Sequence, residues 1–274
     1  MNKLLALTNM ELKRNSKFYL VYLSILSAIM LGLNIIQINR FQDRFSMVEK
    51  IKDSFDGIFY GISIIYNNSY LHNIMGLSII GIFIYSIYTW VREYTQNSVY
   101  TLKMIPCNKF NLYLSKMVSS IVMIYGVLIT QITILFISKN IFNLMFKNTG
   151  IIPTSLFEDL SYLPSTLYYN MPINLIDFIM IYGIGLILKL SILFTVIVFI
   201  ISLKSKNRRL FIIIIGLCLI ILNKIMTYEN IGNFYINLGL EYINNIGVDV
   251  IVGTILTILL GYISYILINK KFYI

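Results

Sequence analysis

Residues 18–38 read FYLVYLSILSAIMLGLNIIQI, 21 residues without a charge. A hydrocarbon core needs about 20 apolar residues, each rising about 1.5 Å in a helix. This stretch is therefore long enough to cross a bilayer once. It exceeds the apolar region of a secretory signal and no small-x-small cleavage site follows it, so it is expected to remain as an anchor. Lys13, Arg14 and Lys17 crowd its leading flank. Basic residues beside a span favour the cytoplasm, so the N-terminus is expected there.

Four further runs repeat the pattern, at about 71–91, 118–138, 173–203 and 250–268. A sixth, at about 210–226, is weaker, because its purely apolar part stops at Leu222, before Asn223 and Lys224. Parity argues that it crosses too; otherwise Lys270 and Lys271 would fall outside. With six crossings the charges sort by side. Inside lie Lys3, Lys13, Arg14, Lys17, Arg92, Lys103, Lys109, Lys116, Lys204, Lys206, Arg208, Arg209, Lys270 and Lys271, against only Glu11 and Glu93. The other acids lie outside or at outer span ends, as Asp177 and Asp249 do.

Composition agrees. Hydrophobic residues form 58% of the chain and charged residues 12%, about half the usual charged share of soluble domains. The excess apolar surface must face lipid. The net charge of +10 needs no nucleic-acid partner, because it sits beside spans where the orientation rule accounts for it. Cys107 and Cys218 form no disulfide framework: the first is expected in a reducing cytoplasmic loop and the second inside a span. Pro106, Pro153, Pro164 and Pro172 all avoid the spans, so each span can satisfy its backbone as a helix. No span holds a G-x-x-x-G pair. Helix packing is expected to use small and polar residues, among them Ser24, Ser27, Ser78, Ser86, Ser119, Ser120, Thr130, Gln131, Thr133, Thr195, Thr254, Thr257 and Ser264.

Catalytic sets are missing. His72 is the single histidine, which excludes a two-histidine metal site, and no nucleotide-cradling G-x-x-x-x-G-K-[ST] occurs. Gly76-Leu77-Ser78 only faintly echoes a nucleophile motif, because Ile79 follows it. Among polar residues in spans, Asp177 and Lys224 lie near outer ends, where Lys224 can snorkel. Lys189 lies deep in the longest run. Three readings stay open for it: snorkelling to the outer edge, an inward-facing polar pathway, or contact with a partner subunit. No span carries a mid-depth acid, which disfavours a proton relay.

The most specific segment follows the second run: REYTQNSVYTLKMIPCNKF over residues 92–110, continuing to Ser115-Lys116. Tyr100 to Ile105 can form one or two helical turns, stopped by Pro106, since the residue before proline disfavours the helical region. A short helix joining two spans is a lever on both. This segment resembles the first cytoplasmic loop of type-2 permeases of ATP-binding-cassette (ABC) exporters. Glu93, Leu102, Pro106, Asn108 and Lys116 stand at matching places; Ser98 replaces a usual glycine and Thr101 comes later than usual.

The resemblance implies an all-α integral membrane protein, one permease domain over 1–274 with six transmembrane helices and both termini cytoplasmic. It implies a coupling helix between spans two and three, gripped by a separate ATPase subunit through Glu93, Tyr100, Thr101, Leu102 and Pro106, with Lys116 fixing the third span. It further implies an interfacial helix over residues 1–17 and a partly re-entrant last outer segment, which the apolar stretch Ile231–Ile243 suits. This chain would hold no cofactor, ATP being bound by two ATPase copies, and would pair with a second, identical or related permease. The setting implied is a bacterial cytoplasmic membrane. The cargo implied is antimicrobial or amphipathic peptides or lipophilic drugs, giving resistance. The competing class is an ATPase-independent channel or ion-coupled carrier.

Overall fold

The structure is a computed structural model that describes residues 3–48, 69–95, 109–146, 175–202 and 246–271. Its elements are α1 (Lys3–Val48), α2 (Ser69–Thr95), α3 (Lys109–Met145), a short α4 (Leu175–Phe178), a π-helical segment (Ile179–Gly185), α5 (Leu186–Ser202) and α6 (Ile246–Lys271). Among the described residues all regular structure is helical. Five stretches are long and apolar enough to cross a membrane: Lys3–Asp43, Asn73–Arg92, Phe110–Met145, Ile179–Phe199 and Val250–Asn269. They coincide with five of the six expected runs, as a multi-pass membrane protein requires. The sixth, 210–226, lies outside the described residues, as do Ile231–Ile243.

Two helices outrun their apolar windows. α1 has 46 residues, about 69 Å at 1.5 Å each, more than twice the hydrocarbon thickness. It runs unbroken through Lys17, so the segment expected as a separate interfacial helix is collinear with the first span. Neither Pro nor Gly stands among residues 3–31 to stop it. α3 likewise extends through Lys116 and Lys139, both buried.

The fourth run departs from a plain helix. At Gly185 an added Cβ would meet the Met180 carbonyl oxygen at 2.8 Å. The widened turn therefore holds a residue without a side chain where backbone approaches most closely.

The residues pack as two compact units. The first gathers the described parts of Met1–Glu11, Phe83–Ile121 and Ile179–Ile274, and the second those of Leu12–Ile82 and Val122–Phe178.

In the second unit α1 and α3 run parallel. The Tyr19 hydroxyl donates to the Met123 carbonyl at 2.8 Å, and Asn34 Nδ2 donates to Ser138 Oγ at 2.7 Å. α2 joins them: the Tyr22 hydroxyl donates to the Ser78 carbonyl at 2.6 Å. Gln131 closes the triangle, its Nε2 donating to Ser78 Oγ at 2.7 Å and to the Met75 carbonyl at 3.1 Å. Both tyrosines reach their carbonyls across a glycine. Tyr22 lies over Gly81 and Tyr19 over Gly126, where an added Cβ would collide with the hydroxyl. Asn34 and Gln131 are fully shielded, whereas Leu20, Ile129 and Leu144 are exposed. Polar groups inward and aliphatic groups outward is the arrangement expected of helices surrounded by lipid.

In the first unit α5 and α6 run parallel. Ile184 packs against Gly253, and eleven residues on, Thr195 Oγ1 and Ser264 Oγ share a hydrogen bond of 2.8 Å.

Candidate functional site

In the first unit five helices contribute to one largely buried cluster, with Tyr265 at its exposed edge. α1 brings Glu11, α2 brings Ser86 and Trp90, α3 brings Phe110, Tyr113, Lys116 and Ser120, α5 brings Phe194 and Thr195, and α6 brings Ser264 and Tyr265. The spacing makes the faces. Ser86 and Trp90 are one turn apart, and Tyr113, Lys116 and Ser120 follow the three- and four-residue rhythm that aligns side chains on a helix.

Its centre is an ion pair. Lys116 Nζ lies 3.3 Å from Glu11 Oε1, and the two side chains are only 5% and 2% exposed. The same ammonium lies 5.4 Å from the centre of the Trp90 ring. A buried lysine is costly unless a carboxylate or an aromatic face replaces its water, and here both do. Ser86 and Ser120 join α2 to α3 through a hydrogen bond of 2.9 Å.

Aromatic rings extend the cluster to α5 and α6. Trp90 lies 5.8 Å from Phe194 and 6.5 Å from Tyr113, and Tyr113 lies 6.0 Å edge-on to Phe194. Phe110 stacks on Tyr113 at 5.4 Å and meets Tyr265 edge-on at 5.5 Å. Each such pair contributes about 0.5–1.5 kcal/mol beyond area burial. Trp90 Nε1 is buried with no hydrogen-bond partner among the described residues, and the Tyr113 hydroxyl faces Thr195 and Ser264.

The arrangement clamps the end of α2 to the start of α3, the two helices that flank residues 96–108, and ties both to α1. A force on the connecting segment would be delivered to α2 and α3 together.

The expected site residues fall as follows. Lys116 is at the heart of the clamp, facing the interior. Glu93 closes α2, and Asp177 lies in α4, but their side chains lie outside what is described. Tyr100, Thr101, Leu102, Pro106 and Lys224 lie outside the described residues. Lys189 is on α5, half-buried, ten residues from either end of the span Ile179–Phe199. Among the described residues no hydrogen bond or ion pair reaches it.

Sequence reasoning missed Glu11, Trp90 and Tyr113. For Glu11 a signal existed: it is one of only two acids assigned to the inner segments. Thr195 and Ser264, named only as packing residues, join α5 to α6. Comparison with family models, curated proteins and solved structures finds no match for this chain.

Proposed function

We propose that this chain is the membrane-spanning permease subunit of an ABC exporter, with six spans and both termini in the cytoplasm. A separate ATPase subunit, present in two copies, drives it through a coupling helix within residues 96–108. A second permease, identical or related, completes the translocation route. The cargo class is amphipathic or antimicrobial peptides or lipophilic drugs. The chain itself performs no covalent chemistry and carries no cofactor, and its setting is a bacterial cytoplasmic membrane.

The observation that carries this reading is the Glu11–Lys116–Trp90 clamp on both flanks of that segment. A lever works only if its two arms share a fulcrum, and the clamp supplies one. The parallel course of α5 and α6 is consistent with the proposed crossing at 210–226. The packing of α3's first turns against α1's first turns and α6's last turns supports termini on one side. Fourteen basic residues in the inner segments support that side being cytoplasmic.

The test is association. The candidate partner is a protein encoded beside this chain that carries a Walker A motif and no spans of its own. It is expected to co-purify with the wild-type chain and to be lost when Tyr100→Asp and Leu102→Asp are combined. Undiminished co-purification of the double variant removes the coupling assignment.

A further inference from the structure

Lys189 is central in its helix. It is ten residues from each end of the apolar span Ile179–Phe199 and at least thirteen from each end of the helical stretch Leu175–Ser202. With the span at Ile179–Phe199 its Cα is about 15 Å along the axis from either edge. A lysine side chain spans less than half that distance, so snorkelling does not bring it to the interface. On α5 it shares a face with Ile192 and Val196, both half-exposed, and with Phe199, which is exposed. Leu190, Phe194 and Ile197 turn the other way and are buried. Leu186 and Leu193, one turn to either side of Lys189, are buried too, so the half-buried lysine sits at the border of the packed face.

Among the described residues no carboxylate meets it there. Asp177 is twelve residues earlier on the same run, about 18 Å away along the axis. The register of Ile184 with Gly253 sets Ile258 level with Lys189, and Asp249 about 13 Å short of it. None of the six apolar runs holds an acid at mid-depth, so a second copy of this chain could supply none either. An ammonium inside hydrocarbon without a carboxylate beside it is costly, and ionisable residues within spans mostly face a bundle interior or a polar pathway.

We infer that Lys189 lines the translocation route and receives the anionic head group, carboxylate or phosphate, of an amphiphilic cargo. This rests on the permease reading and narrows it: a mid-route ammonium repels cationic amphipathic peptides and selects amphiphiles carrying a negative head. One methylene stem with an ammonium tip suits a single point charge, and the aliphatic neighbours suit the tail.

The test uses the full-length chain in discs of zwitterionic lipid and three fluorescent probes: dansyl-undecanoate, its neutral amide and its quaternary-ammonium analogue. The wild type is expected to bind the carboxylate at least tenfold more tightly than the amide, and the ammonium analogue most weakly. Lys189→Met abolishes that preference without weakening amide binding, Lys189→Arg keeps it, and Lys189→Glu reverses it. Thermal unfolding of Lys189→Met at or above the wild-type temperature confirms that the variant folds. Equal binding of the three probes, or a preference unchanged in Lys189→Met, overturns the inference. Adding phosphatidylglycerol to the discs separates cargo from bilayer lipid: competition that Lys189→Met abolishes assigns the site to lipid and overturns it too. ATPase association is measured separately. Its loss with probe preference intact removes the exporter reading and leaves the anion site standing; the converse removes only the anion site.

Discussion

Replacing Lys116 by Met is expected to destabilise the chain by about 3–5 kcal/mol, the usual cost of orphaning one member of a buried ion pair. The pair itself is worth much less. At 3.3 Å and an effective dielectric of about 20, the attraction is about 5 kcal/mol. Removing the two ions from water costs several kcal/mol each and largely cancels it. Once Lys116 is gone, Glu11 keeps its desolvation cost and loses its partner. The stacking of the ammonium on Trp90 adds about 1–2 kcal/mol to that loss. Glu11→Leu orphans the lysine instead, and should cost slightly less because Trp90 still faces the ammonium. The double variant Glu11→Leu with Lys116→Met replaces the pair by apolar groups and should return to within about 1 kcal/mol of wild type. The chain has one tryptophan, Trp90, inside the cluster, so its fluorescence reports unfolding during a detergent titration in mixed micelles. The cycle should give a coupling energy of about 3 kcal/mol or more. Single effects that add within about 0.5 kcal/mol would refute the clamp.

Two contrasts follow from the glycines. Gly126→Ala should destabilise by about 1–3 kcal/mol through overpacking, because its Cβ meets the Tyr19 hydroxyl. Adding Tyr19→Phe should recover part of the loss in the same titration, since the clash lies at that oxygen. Gly185→Ala should cost more than about 2 kcal/mol, as its obstacle is the Met180 carbonyl, which no rotamer can move. Gly261→Ala, with nothing within 4 Å, should be neutral or stabilise by up to about 1 kcal/mol. Equal effects of the last two variants would show that the π-helical turn does not constrain residue 185.

Long apolar runs are legible because crossing lipid demands them, and five described helices overlap five of the six runs. Helix length is not legible from them, because helices end where backbone hydrogen bonding ends. Lys13, Arg14 and Lys17 close the apolar window of α1 but do nothing to stop its helix. Lys116 likewise bounded a run while lying inside α3, neutralised by Glu11 more than a hundred residues away, a pairing no local pattern encodes. The polar residues named for packing divide in the structure. Ser78, Ser86, Ser120, Gln131, Thr195 and Ser264 bond across helices, whereas Ser24, Ser27, Thr130 and Thr133 bond back to their own. The carbonyl one turn earlier is always within reach, so sequence alone does not choose between the two. Tyr19 and Tyr22 were invisible because their value depends on glycines of other helices. The π-helical turn left only Gly183 and Gly185 as a trace.

The proposed role, a gate moved by a separate ATPase, is tested most directly by cargo uptake into inside-out proteoliposomes containing the chain alone, the chain with its ATPase, and the chain with an ATPase unable to hydrolyse ATP. Uptake only in the second, and only with ATP, is the predicted result. Solute passage by the chain alone at the same rate would contradict it.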